Sequence, residues 1–231
     1  MALFTIADLH LPLGIDKPMD IFGGAWTNYV ERLKDNWQKL VNDDDTVVIP
    51  GDFSWATYTE QSVKDFEFLE ELNGRKILLK GNHDFWWTTM NKLKKFTQEN
   101  NFKSVEFLQN NSFMYKNIAI CGTRGWKHPS WDGFNEEDKK IYDREVIRLE
   151  LSLNSVQNCE EIYVFTHYPP ISMQKEENAF CELMKKYKVT KCFYGHLHSA
   201  AHASAFNGIC DGIEYKLIAG DYLKFIPLKI S

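Results

Sequence analysis

Eight residues of this chain carry metal-ligating or acid-base side chains in repeated settings: Asp8 and His10, Asp52, Asn82 and His83, His167, and His196 and His198. Each group follows directly on a short apolar run of the kind that forms a buried strand. Open α/β sheets bind ligands at that edge. Five of the chain's seven histidines fall in these five places, so chance is a poor account of them. One Asp or His after a strand is equally well a cap or turn residue; five in succession are not. Carboxylates, one amide oxygen and imidazoles without thiolate suit Mn²⁺, Fe²⁺/Fe³⁺ or Zn²⁺. The donors are too many for one ion. Two cations about 3.5–4 Å apart, sharing a carboxylate, clamp the attacking and leaving oxygens of an in-line phosphoryl displacement. Gly51, Gly81 and Gly195 stand immediately before Asp52, Asn82 and His196, where glycine lets the backbone turn sharply beside such ions.

In order, the motifs read Asp8-Leu9-His10, Gly51-Asp52, Gly81-Asn82-His83-Asp84, a lone His167, and Gly195-His196-Leu197-His198. This series resembles the calcineurin-like metallophosphoesterases, whose signature is DxH, GD, GNH(D/E), H and GHxH. The resemblance runs from residue 8 to residue 198 and implies a four-layer α/β/β/α sandwich. It also implies one metal held by Asp8, His10, Asp52 and His198, and a second held by Asp52, Asn82, His167 and His196. Asp52 would bridge the two, with His83 left unligated beside the substrate phosphate as the catalytic residue. The protein serine/threonine phosphatase branch continues its second motif as GDxxDRG. Here Trp55 and Ala56 stand where that branch has Asp and Arg, which argues against phosphoproteins as substrates.

Arg124, directly after a strand, is a candidate for the missing phosphate fork, because guanidinium pairs bidentately with phosphate; an exposed loop arginine is the alternative. Trp55, Trp86 and Trp87 follow the metal motifs and read as core aromatics, with a wall for a base or sugar as the alternative. Asp84 either orients its neighbours by hydrogen bonds or caps the next helix. His128 and His202 belong to no motif and read as surface or core histidines.

The elements needed to position these residues are legible as alternating runs. Strands are expected at Leu3 to Ala7, Thr46 to Ile49, Lys76 to Leu79, Ile162 to Phe165 and Lys191 to Tyr194, and a hairpin from Ser112 to Cys121 around Lys116-Asn117. Helices are expected over Trp26 to Val41, Glu60 to Leu72, Trp87 to Phe96, Asn135 to Val156 and Glu177 to Tyr187. The tail from Ala203 to Ile230 carries β-like runs at Glu214 to Ile218 and Phe225 to Ile230, expected to complete a second sheet. This is an α/β pattern of βαβ units. With no repeat, linker or low-complexity stretch, residues 1–231 are expected to form a single metallophosphoesterase domain.

A 44% apolar, 14% aromatic composition supports a sizeable core, and the formal charge of −5 gives no basic footprint for long nucleic acid or anionic lipid. The five cysteines lack any CxxC pair, which fits core thiols in a reducing compartment. No 18-residue apolar stretch occurs, and the first residues lack the basic segment and long apolar run of a signal peptide, so cytoplasm is expected. The function expected is hydrolysis of a small-molecule or nucleotide phosphate ester, with two divalent or transition-metal ions as cofactors. Phosphomonoester, phosphodiester and pyrophosphate bonds all remain open as substrates. The rivals are a non-catalytic scaffold, which would have lost ligands, a serine/threonine-type protein phosphatase, and a nuclease for short oligonucleotides.

Overall fold

The computed structural model describes residues 1–17, 19, 21 and 23–231. Its elements run β1 (Leu3–Thr5), α1 (Tyr29–Leu40), β2 (Thr46–Pro50), α2 (Val63–Glu71), β3 (Arg75–Leu79), α3 (Met90–Glu99), β4 (Val105–Phe107), β5 (Phe113–Tyr115), β6 (Ile118–Thr123), α4 (Glu136–Asn154), β7 (Glu161–Thr166), α5 (Ala179–Lys186), β8 (Lys191–Tyr194), β9 (Gly208–Cys210), β10 (Ile213–Leu217) and β11 (Leu228–Lys229).

The strands form two sheets, ordered β11-β1-β2-β3-β4 and β5-β6-β7-β8-β10-β9. The central strands of both are parallel, and the antiparallel members β11, β5 and β9 lie at edges. Side chains alternate between faces along a strand, so each apolar run serves two cores. Val47 and Ile49 pack with Leu33 and Trp37 of α1 and Phe66 of α2, whereas Val48 and Ile77 face Ile120, Phe165 and Phe193 of the other sheet. Likewise Cys121, Val164 and Cys192 pack under Leu149 of α4 and Met184 of α5. The result is four layers, helices α1 to α3, two facing sheets, and helices α4 and α5, as the resemblance implies.

The long helix α4 starts where Asn135 Oδ1 accepts from the backbone N–H groups of Glu137 (2.9 Å) and Asp138 (3.0 Å), with acidic residues filling its first turn. Three details depart from the sequence reading. The run ending at Ile230 does not join the second sheet; Leu228 and Lys229 pair antiparallel with Thr5 and Phe4 of the first. An alternating pattern identifies a strand but not its sheet. The three-residue β4 is too short to show a period. Helix α3 begins at Met90 instead of Trp87, because Trp86 and Trp87 are held in the preceding loop, their indole N–H groups donating to Asp84 Oδ1 (3.0 Å) and Gln109 Oε1 (2.9 Å). All five cysteines are free, three of them buried. Among the described residues no helix is long and apolar enough to cross a membrane.

Candidate metal centre

Asp8 and His10 follow β1, Asp52 follows β2, Asn82 and His83 follow β3, His167 follows β7, and His196 and His198 follow β8. All are C-terminal ends of parallel strands. A parallel bridge between Ala7 and Ala219 draws the end of β1 toward that of β10, so the motifs of both sheets meet along one seam.

The loops are tight. Asp8, His10, Asp52 and His196 have φ between 45° and 74°, a region that non-glycine residues enter at a cost of about 1–3 kcal/mol. Sharp turning is only part of what the adjacent glycines do. Gly51 does adopt a positive φ of 97°. Gly81 and Gly195 serve by close approach: a Cβ on Gly81 would fall 2.1 Å from Asp52 Oδ1, and one on Gly195 would fall 2.3 Å from Asp8 Oδ2.

Every sequence-predicted ligand reaches one cluster. Asp8, His10 and His198 offer ligand atoms within 4.8 Å of one another, and so do Asp8, Asp52 and His167. Asp52 Oδ2 lies between two imidazoles, 3.7 Å from His10 Nε2 and 3.4 Å from His167 Nε2. Asn82 Oδ1 sits 2.6 Å from His167 Nε2 and 2.9 Å from His196 Nδ1. On the other side, His198 Nε2 is 3.3 Å from His10 Nε2 and 3.4 Å from Asp8 Oδ1. The His83 ring stands 5.7 Å from that of His10, and its backbone N–H donates to Asp52 Oδ1 at 2.8 Å.

The donor set fits cations. Burial raises the Asp8 and Asp52 carboxyls, Asp52 well above the usual range with added repulsion from Asp84 and Asp8. Burial and neighbouring histidines hold His10 and His167 well below their ordinary value and His196 at about 3, so these rings are neutral and ready to ligate. His198 is the exception: burial opposes its charge, but Asp8 and Asp221 prevail and raise it to about 10. His10 Nδ1 is buried without a hydrogen-bond partner. Burial, Lys17 and His198 lower His83.

Several supporting residues are less visible in sequence. Asp221, after β10, lies 2.9 Å from His198 Nδ1 and accepts from the Ser199 N–H at 3.0 Å, and it lies 3.2 Å from His202 Nε2. Its Gly-Asp dipeptide in the tail had no motif to mark it. Asp84 chooses the orienting alternative, accepting five hydrogen bonds around the Asp52 loop. Trp55 stacks on His10 at 4.5 Å, whereas Trp86 and Trp87 are core residues; Trp26, expected as the first residue of a helix, lies before α1 and joins Trp55 at the cluster with its ring 5.6 Å from that of His198. Lys17 places its ammonium 3.3 Å from the Trp55 ring centroid.

Arg124 is not an exposed loop residue. Its guanidinium lies over Trp126 and 3.5 Å from Glu145 Oε1, while its carbonyl accepts from the N–H groups of His167 (3.0 Å) and Tyr168 (2.9 Å). His128 is buried beside Ser130.

Two facing sheets with acidic, amide and imidazole groups converging past their strand ends define a metallophosphoesterase. Residues 1–200 match the family described as calcineurin-like phosphoesterase, and the chain belongs to that family. No curated protein matches it. Among solved structures it is similar to a protein of unknown function from Aquifex aeolicus, with 16% identity, a TM-score of 0.53, and coverage of 99% of this chain and 95% of that one. It is also similar to a phosphopantetheinyl hydrolase from Mycobacterium tuberculosis, with 12% identity, a TM-score of 0.60, and the same coverage. At such identities the likeness is one of fold.

Proposed function

We propose that the chain is one domain, acting in the cytoplasm as a dinuclear hydrolase of small phosphate esters, diesters or monoesters, nucleotides included. The observation that carries this reading is that Asp52 Oδ2 lies 3.7 Å from His10 Nε2 and 3.4 Å from His167 Nε2, with His198 beside His10 and with Asn82 and His196 beside His167, while Asp8 reaches both groups, 3.4 Å from His198 Nε2 and 3.7 Å from His167 Nδ1. Asp8, His10, Asp52 and His198 would hold one cation, and Asp52, Asn82, His167 and His196 would hold the second. Manganese, iron and zinc suit the donors. When bound, such cations would supply Lewis-acid charge for phosphoryl transfer and lower the pKa of a water.

The protein's own groups do the rest. The Asp84 carboxylate fixes the Asp52 loop, Asp221 fixes the His198 ring, and His83 faces the space beside the cluster, where, once the substrate's negative charge offsets the burial that lowers it, it protonates the departing oxygen. Ala56 is fully buried and Trp55 lines that space, so neither supplies what Asp and Arg supply in the protein phosphatase branch. The test is metal analysis with a screen over monoesters, diesters, nucleotides and phosphopeptides. Two equivalents of metal, lost together in Asp52→Asn, with turnover of small esters far above that of phosphopeptides, are expected. A saturated site with one ion, or selective phosphopeptide turnover, would overturn the reading.

A further inference from the structure

A cavity of about 330 Å³ opens directly beside the cluster. It is lined by His10, His83 and His198 together with Trp26, Trp55 and Met19. Resting on the phosphoesterase reading of the cluster, we infer that this cavity receives a planar aromatic group of the substrate, such as an aryl ring or nucleobase, attached to the phosphate under attack.

Position comes first. His10 and His198 belong to the cluster and the His83 ring stands 5.7 Å from that of His10, so a group seated in the cavity lies next to any phosphate held there. The walls are two indoles fixed before a ligand arrives. Trp55 lies 4.5 Å from the rings of both His10 and His83, and its N–H is engaged by Met19 Sδ at 2.8 Å. Trp26 is 3% exposed and anchored edge-on to Tyr29 and Phe225, with ring centroids 5.2 and 5.1 Å away. Preformed aromatic walls lose little freedom on binding, and an aromatic guest gains more from them than its buried area alone supplies.

The lining also decides against other occupants. Beyond the imidazoles, its described residues offer only Ser199 as a polar side chain, so a bare sugar would shed water without finding partners. The volume lies at the lower end of small-molecule sites, enough for one ring system and too little for a lipid tail or a folded peptide.

Non-hydrolysable phosphonates separate the cavity from the chemistry. Calorimetry on the metal-reconstituted protein would compare methylphosphonate, cyclohexylmethylphosphonate and benzylphosphonate, which share one head group. Benzylphosphonate is expected to bind about tenfold tighter than methylphosphonate, with the cyclohexyl compound between them. Trp55→Leu should lose most of that preference and Trp55→Phe should keep it; each ratio is taken within one protein, so a general change in metal content cancels. Equal affinity for the methyl and benzyl compounds, or tighter binding of the cyclohexyl compound, would overturn the inference while leaving the phosphoesterase reading intact. Binding of none of the three, nor of inorganic phosphate, would sink both.

Discussion

The carboxylate of Asp84 accepts the backbone N–H of Asp52 at 2.9 Å, tying the residue at the centre of the cluster to a loop 32 residues away. The same carboxylate takes the N–H groups of Phe53 (3.0 Å), Ser54 (3.3 Å) and Gly81 (2.7 Å) and the indole of Trp86 (3.0 Å). One fully buried anion thus gathers the loops after β2 and β3, and the left-handed turn at Asp52 is held by this network. Such convergence is why a non-glycine residue persists there.

Asp84→Ala leaves five buried donors without that acceptor. Leaving buried donors unmet costs about 1–3 kcal/mol each where the loop cannot relax, so a total of roughly 3 kcal/mol or more is expected in denaturant unfolding. Asp84→Asn keeps the shape but turns an amide NH₂ toward N–H donors. It should lower metal affinity by about 10–100-fold while costing less stability than alanine. Unchanged affinity in Asp84→Asn would show that the carboxylate caps the loop without positioning Asp52.

Asp221 does for His198 what Asp84 does for Asp52. Asp221→Ala removes the partner of His198 Nδ1, 2.9 Å away, and of the Ser199 N–H, freeing both the ring's tautomer and its orientation. Metal titration should show one of two equivalents weakened by about 10–100-fold, because Asn82, His167 and His196 are untouched. Equal weakening of both equivalents would mean that the two sites do not divide as proposed.

The contrast between these two acids shows what the sequence can carry. Asp84 lies inside Gly81-Asn82-His83-Asp84 and is visible from its neighbours; Asp221 stands 23 residues beyond His198 and is brought to it only when β10 pairs with β8. The seven proposed ligands were legible because each follows a run of Val, Ile, Leu or Phe that must be a buried strand. Trp26 and Lys17 reach the cluster through tertiary folding of the loop before α1, for which no period exists. The same limit applies to the last strand, whose alternation fits either sheet until Leu228 meets Thr5.

Lys76 gives a prediction remote from the cluster. It is 1% exposed on β3, its ammonium donating to the Leu72 carbonyl and to Ser104 Oγ, and burial lowers its pKa from 10.5 to about 8. Between those values the unfolded chain retains a proton that the folded chain has released, so raising the pH through this window favours folding. Below about pH 8 both states are charged there, and the buried ammonium weighs fully against the fold. Chemical denaturation at pH 7, 8, 9 and 10 should show the wild type gaining stability relative to Lys76→Met until the difference levels off near 10.5. Parallel curves would mean that Lys76 titrates as an ordinary lysine.

His83 is the residue whose role most depends on the leaving group. Its side chain lines the cavity beside the cluster, but its contact with Asp52 is made by the backbone N–H at 2.8 Å, which alanine keeps. Metal content in His83→Ala should therefore stay near two equivalents. A general acid matters in proportion to how badly the departing oxygen needs a proton, and such catalysis is typically worth about 10²–10⁴-fold. Alkyl and sugar esters, which leave as strongly basic alkoxides, should lose kcat on that scale. Nitrophenyl esters, whose phenolate departs unaided, should lose far less. An equal loss on both classes would place His83 in holding the phosphate instead of transferring a proton, with KM expected to rise in step. Loss of a metal ion would instead show that the His83 side chain, and not only its backbone, supports the Asp52 turn.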